Sequence, residues 1–447
     1  MVRKILIDDP EFVFPPSLQQ VTLYRSMQGT SELHSLIAKH KMKIFYIITF
    51  ATFAWQFLPE FVFPMLAVLA PLCWFAPNNH KVNFLGSGKG GIGLLNFTLD
   101  WSNITSTVIT YPYSVQIVIF VGFVITTWIL IPIAYFGNIW GSPTYNIMSQ
   151  GLFTKNGSSY PFESLLYTDA SGTQQVNETA YNEVGLSYAG AQYTWSIFMW
   201  YASYMSSYIW AALFLAPKIK NLWKNRKNLG QYRTDRLRLI GHYLHIPPRD
   251  VIGIQIAANI VAGPINYGVM KGVLTAKYKY LTGELTDPSG QWTAQDFQSY
   301  NTAGVLYALV GPKRLFASSY FAPVLYGFLV GFVAPVTIWL LHKKFPKARF
   351  DLWNTTIFFA SMATFRGNLS TGPFTSIIVG TVFNYYLYRY RHNWWNKWAY
   401  ISGAALDTGY NLNLLFTFLF LGTTGAVMAN WWGNDARNSE RCFALKS

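Results

Sequence analysis

The sequence predicts an all-α, polytopic transmembrane helical bundle with broken or re-entrant helices. Three observations carry that reading. Only 12% of the 447 residues are charged, against about a quarter in a typical soluble chain, while 51% are hydrophobic and 18% aromatic. Several runs reach the roughly 20 apolar residues that a helix needs to cross a bilayer. Finally, the Lys and Arg side chains behind the net charge of +15 collect between those runs, as cytoplasmic loops do. A nucleic-acid binder would instead gather them on one face, so nucleic-acid binding is set aside.

Residues 1–43 read as a cytoplasmic segment. The start, MVRKILIDDPEFVFPPSLQQ, lacks the apolar core of a cleavable signal. Residues 44–433 form the membrane domain. Ser114–Phe136, Ala191–Ala216, Val251–Met270, Tyr320–Leu341 and Thr408–Gly433 are free of charge, and Ile44–Asn79 carries Glu60 beside Pro59. Trp353–Leu387 is interrupted by Arg366-Gly-Asn and by Gly372-Pro373, which reads as a hairpin or re-entrant pair. Residues 434–447 form a polar tail.

Loop charge sets the orientation. The loop 217–249 carries Lys218, Lys220, Lys224, Arg226, Lys227, Arg233, Arg236, Arg238 and Arg249 against Asp235, so it lies inside. Lys343, Lys344, Lys347 and Arg349 mark a second inside loop, and Arg389, Arg391 and Lys397 a third. The mildly acidic 137–190 loop, with the sequons at Asn156 and Asn177, lies outside. Four further sequons, at Asn96, Asn103, Asn354 and Asn368, fall in or beside broken stretches and read as chance matches. Residues 44–113 then cross an even number of times. Two half-length segments broken at Pro59 satisfy this, as does one crossing plus a span within 80–113.

Motifs for other chemistry fail on inspection. GSGKGGIG (86–93) has Gly90 where a phosphate-binding loop needs Ser or Thr after Lys89, so it reads as a flexible loop between membrane segments. His242 and His245 have the spacing of a helical metal pair, but Pro247 and Pro248 oppose a helix there. The prolines suit a helix start instead, with Asp250 at its positive end. Cys73 and Cys442 are too few for a disulfide framework or a structural zinc site. No enzyme signature is found, and no catalytic residue, metal or cofactor is expected.

Ionisable residues inside apolar stretches are costly, and their default reading is functional. They are Glu60 in WQFLPEFVFP, Asp100 in NFTLDWSNI, Arg366 in ATFRGNLSTG and Asp407 in GAALDTGYNLN. Broken helices are where secondary transporters hold substrate and coupling ions. Gln255, Asn259 and Asn266, and Asn384, Asn411 and Asn413, read as hydrogen-bond glue between helices.

These stretches resemble the oligopeptide transporter family. GHYL followed by His245, Ile246, Pro247, Pro248 and Arg249 is similar to the family's KIPPR-type signature. WFAPNN (74–79), GIGLLNFTLDW (91–101), GPINYGV (263–269), GPKRLF (311–316) and FNYYLYRYRHNWWNKWAYISGAALDTG (383–409) match in order and spacing. The resemblance covers nearly the whole chain and is nearest to fungal members of the peptide-transporting branch. It implies a proton-coupled importer of small peptides in the plasma membrane or an endomembrane, with peptides, protons and the lipid bilayer as its partners. Metal-chelate (siderophore) or glutathione-conjugate cargo is the alternative within the family, and a truncated, non-transporting membrane fragment the alternative outside it. LIDDPEFVFPPSLQQVTLYRSMQG (6–29) resembles a mid-chain segment, which implies that an amino-terminal half with an Asn-Pro-Gly signature is missing.

The chain also departs from the family pattern. Glu60 stands where relatives have a small residue, FRGNLSTGP replaces an Ile-Pro-Pro-Ala-Thr stretch near 366–374, and QWTAQDF lacks the Cys of a Trp-Cys motif. The expected substrate and proton path runs through 58–113 and 353–374. Its candidate residues are Glu60, Asn78, Asn79, Asp100, Trp101, Arg366, Asp407 and Asn411, with Asp100 and Asp407 foremost.

Overall fold

A computed structural model describes residues 15–27, 32–169, 174–217, 220, 248–282, 285, 300, 302–364, 370–422, 426, 428–435 and 438–445. It is an all-α membrane bundle. Among the described residues four helices are long and apolar enough to cross a bilayer: Ala38–Val62, Tyr113–Phe136, Ile252–Leu281 and Ala322–Lys344. The elements used below are α1 (Pro15–Met27), α2 (Glu32–Phe57), α3 (His80–Gly86), α4 (Trp101–Ile104), α5 (Thr107–Thr110) and α6 (Tyr113–Phe123). They continue with α7 (Glu178–Val184), α8 (Ala191–Trp210), α9 (Pro248–Leu281), α10 (Tyr326–Lys344), α11 (Thr355–Thr364), α12 (Gly372–Gly380) and α13 (His392–Phe416).

Side-chain pairing gives the helix directions. Phe45 packs with Ile401, Thr49 donates to the Ala405 carbonyl, and Asn413 donates to the Phe53 carbonyl at 2.9 Å. The numbers rise together, so α2 and α13 run parallel. α8 and α10 also run parallel, because Gly327 lies on the Phe198 carbonyl and Gly331 on that of Ala202. A Cβ at Gly331 would sit 2.2 Å from that oxygen. Small residues four apart let two backbones touch in lipid, where dispersion replaces the hydrophobic effect as the force between helices. α11 runs against α8: Ser196 donates to the Ala363 carbonyl, Ser203 to that of Thr356, and Ser206 meets Thr355.

Several boundaries differ from those the sequence suggested. The apolar run 408–433 is not a separate helix, since α13 starts back at His392 and widens into a π-type turn over Thr417–Gly422. The aromatic, basic stretch 392–398 is therefore its first turns and not a loop. α9 runs on past Met270 to Leu281, with Asp250 in its first turn as expected. Of the HIPPR string, His245, Ile246 and Pro247 lie outside the described residues, and Pro248 and Arg249 open α9. Gln255, Asn259 and Asn266 are exposed along it rather than buried between helices. Between Phe63 and Pro112 no described helix exceeds the seven residues of α3, so neither arrangement expected for 44–113 is found whole. One long helix is followed by a string of short ones. The interruption in 353–387 is a break between α11 and α12, as the Gly-Pro pair required.

The 137–190 loop folds on itself. β1 (Leu152–Phe153) pairs with β4 (Tyr188–Ala189), and β2 (Leu166–Thr168) with β3 (Gln174–Val176), both antiparallel. Leu152, Leu165, Leu306, Leu315 and Phe321 bury together and seat this loop on the start of α8. On the loop between α10 and α11, the Arg349 guanidinium bonds the Asp351 carboxyl and holds it below the usual carboxylate range.

One further expectation needs correction. GSGKGGIG is not a flexible loop, because Ser87 and Ile92 are almost fully buried and Glu440 of the tail is buried against its backbone. Cys73 and Cys442, although too few for a framework, join in one disulfide across 369 residues.

Gly331→Leu should lower stability by about 1–3 kcal/mol through overpacking, and Ser203→Ala by only about 0.6 kcal/mol. Thermal unfolding of the detergent-solubilised chain measures both. Equal effects would show that the α8–α10 contact is loose.

Candidate functional site

The site forms where regular helix gives out, in the 100–112 stretch. Asp100 caps α4: its carboxylate accepts from the Ser102 amide at 2.8 Å and from the Asn103 side chain at 3.2 Å. It also accepts from Gln56 of α2, and only 4% of the residue is exposed. The same Gln56 nitrogen lies 3.3 Å from Glu60, one turn further on, so a buried amide bridges the two acids. Asp407 of α13 is held by more donors. The Trp101 indole gives 2.8 Å, the Ser106 amide 3.2 Å and Gln19 of α1 3.3 Å, and the Ser106 hydroxyl adds a fourth. Buried carboxylates persist only with such satisfaction. Among the described residues none of the three acids has an ion-pair partner. Tyr410, on the turn after Asp407, lies within electrostatic range of all three.

A cavity of about 350 Å³ opens beside this stretch. Its polar wall is Ser102, Asn103, Thr105 and Thr107, with Gln116 of α6 and Ser376 of α12; Ile119, Phe120 and Ile377 supply apolar surface. No lining side chain is charged, and neither Asp100 nor Asp407 lines it. Trp101 and Ser106 reach back to Asp407, while Asn103, Thr105 and Thr107 face the space. The acids therefore brace the wall from behind. Thr105, between α4 and α5, sits at φ +60°, a conformation a β-branched residue rarely adopts. Strain of this kind persists only where the surroundings enforce it, and it clusters at functional sites. The opposite wall comes from the break in α11–α12, where Thr364, Gly372 and Pro373 complete the lining.

The model of the OPT oligopeptide transporter protein family matches residues 1–238 and 240–421. The chain belongs to the OPT family. Among curated proteins it is similar to oligopeptide transporter 2 of Arabidopsis thaliana, 25% identical over 98% of this chain and 74% of that protein. Oligopeptide transporters 3 and 4 of the same plant are each 24% identical, covering 97% and 100% of this chain and 74% and 75% of their own lengths. The first alignment spans 552 positions, more than the 447 residues present here, so that relative has insertions within the matched region. No solved structure matches the chain significantly. Membership makes this chain a multi-pass integral membrane transporter.

With the OPT family established, the expected site residues divide into groups. Glu60, Asp100, Trp101 and Asp407 come together through Gln56 and the direct Trp101–Asp407 bond. Asn79 lies elsewhere, capping α3 by accepting from the Lys81 and Val82 amides. Asn78 is exposed in the turn before it. Asn411 is exposed and donates to the Asp407 carbonyl on its own helix. Arg366 lies outside the described residues.

Sequence reasoning missed Gln19, Gln56, Ser106 and Gln116. Gln56 alone had a signal, since it precedes Glu60 by one helical turn. Asn384 was expected as glue and is: it donates to the Val108 and Tyr111 carbonyls at 2.9 Å each. Gln116 donates to the same two oxygens. Because each carbonyl keeps one donor when the other is lost, Gln116→Leu or Asn384→Leu alone should cost about 1 kcal/mol. The double substitution should cost more than the sum. A double-mutant cycle by chemical unfolding tests this, and strict additivity would contradict it.

Proposed function

We propose that this OPT family member is a secondary active importer that carries small peptides together with protons across the plasma membrane, with the cavity beside α4 and α5 as the peptide's station. The single observation that carries this reading is the cavity's chemistry. Hydroxyl and amide groups face a space of about 350 Å³ without a charge among them. Such a lining pairs with peptide N–H and C=O groups and leaves apolar side chains against Ile119, Phe120 and Ile377. The names of the curated relatives agree with peptide cargo.

In this reading Glu60, Asp100 and Asp407 take up the protons. An ionised Asp407 accepts the Ser106 hydroxyl and amide. A proton on that carboxyl replaces an acceptor with a donor, which loosens its hold on Ser106 and so on the wall carrying Thr105 and Thr107. Proton binding behind the wall then changes the shape of the space in front of it, and charge never enters the cavity.

Reconstituted protein should take up a labelled tetrapeptide when the outside is acid. Asp407→Asn should abolish that pH-driven uptake while the protein stays folded and at the surface. Unchanged uptake would sink the role of Asp407. Ser376→Trp should block uptake by filling the cavity, and a rate like that of the parent chain would sink the cavity as the route. Competition by iron chelates instead of tetrapeptides would move the cargo to the metal-chelate class. A second reading, a non-transporting membrane fragment, draws on the positions that the relatives have and this chain lacks. Folded protein that moves neither cargo would favour it.

A further inference from the structure

The tail and the glycine loop 86–93 form an assembly that the transport reading leaves unused. Glu440 is fully buried. Its carboxyl accepts from the Gly88 amide at 2.5 Å, the Ser87 hydroxyl at 3.0 Å and the Lys89 amide at 3.2 Å. Successive backbone amides in a turn make an anion-binding concavity, and here the occupant is the chain's own side chain. Burial raises the Glu440 pKa above the ordinary value, opposed by Lys89 and by these donors. Two residues on, Cys442 is bonded to Cys73. The Phe443 amide donates to the Pro77 carbonyl, and Leu445 packs with Phe84 and Ile92. The Lys89 ammonium meets the Ser439 hydroxyl at 2.8 Å. The tail therefore holds the loop by a covalent bond, a buried carboxylate and apolar contact.

The other face of the loop meets the hairpin break. Ser370 donates to the Gly88 carbonyl at 3.1 Å. A Cβ on Gly88 would lie 2.2 Å from Thr371, and one on Gly93, at φ +59°, 2.4 Å from the Ser370 hydroxyl. Gly372 and Pro373, the next residues, line the cavity. A chain of direct contacts thus runs from Glu440 through Gly88 and Ser370 to the cavity wall.

We propose that residues 438–445 are a covalent strap, closed by Cys73–Cys442 and seated by Glu440, that positions the glycine loop and through it the Ser370–Pro373 tip of the hairpin. Glu440 and Cys442 are positioning residues of the transport path. A disulfide persists in an oxidising compartment, so the strap lies on the extracytoplasmic face. That is the side to which the basic loops assign the end of α13. Opening the disulfide with an external reductant frees the tail, and the hairpin tip loses its backing.

The test uses the whole 447-residue chain, whose two cysteines are the bonded pair. Because Cys73 and Cys442 are fully buried, labelling is read on chain unfolded in denaturant: maleimide should label nothing until a reductant is added, and then label both cysteines. Labelling before reduction, or none after it, would overturn the strap. On folded, purified wild-type protein, reduction should speed amide hydrogen exchange at 87–93 and 370–376 by about tenfold or more, with the α8–α11 pair unchanged. Faster exchange at 87–93 alone would leave the loop strapped but remove the link to the hairpin, and so refute the positioning role. Glu440→Ala should reproduce the effect of reduction, and Glu440→Gln, which keeps the shape and an acceptor oxygen, should restore much of the protection. The transport arm rests on the function proposed above: reduction should lower the maximal rate of peptide uptake more than it changes KM. If wild-type protein transports nothing, that function fails while the labelling and exchange results still decide the strap.

Discussion

A break in a membrane helix exposes backbone N–H and C=O groups where no water can reach them, and each unpaired group costs several kcal/mol. The packing around 100–112 answers that constraint. The Val108 and Tyr111 carbonyls each receive two side-chain amides, one from Gln116 and one from Asn384. The Ser102 and Ser106 amides go to Asp100 and Asp407. Three helical stretches thus lend polar side chains to one irregular segment, and their mutual placement follows from doing so. Lining a cavity is what makes an irregular segment tolerable at this depth, because side chains and bound solute complete the pairing that a helix would supply itself.

The same constraint explains why the acids sit where they do. A carboxylate facing the cavity would have to be resolvated each time the space filled or emptied. Placed behind the wall, Asp100 and Asp407 keep their donors whether the space is full or empty, only a proton on the carboxyl itself loosens them, and the cavity remains neutral.

Much of this was legible in the sequence, for physical reasons that differ by element. Ser114–Phe136 is uncharged and mostly apolar, and its helix matches almost to the residue. The Gly372-Pro373 pair cannot continue a helix from the preceding turn, so the break was visible too. Asp407 and Asp100 stood out because charge is rare in apolar surroundings. The start of α13 was missed because its first turns mix Trp with His, Asn and Lys, a pattern shared by interfacial helices and loops. GSGKGGIG was misread because glycine signals only that the backbone is free to bend. What occupied the bend was a glutamate about 350 residues away, and no local pattern carries that. A neutral amide such as Gln116 escaped for a similar reason: a glutamine in a membrane stretch looks the same whether it faces lipid headgroups or holds two segments together.

The contact between α8 and α10 has a mechanical side. Glycines seated on carbonyl oxygens at Gly327 and Gly331 leave no side-chain layer to act as a lubricant, so neither helix turns without the other. With α11 bound to α8 through three hydroxyls, these helices behave as a single stiff beam. Any motion that widens or closes the cavity has to be absorbed at joints outside that beam. The wide π-type turns at Val124–Leu130 and Thr381–Leu387, where the regular hydrogen-bond ladder is already loosened, flank the cavity on the helices that line it and are placed to serve as its hinges.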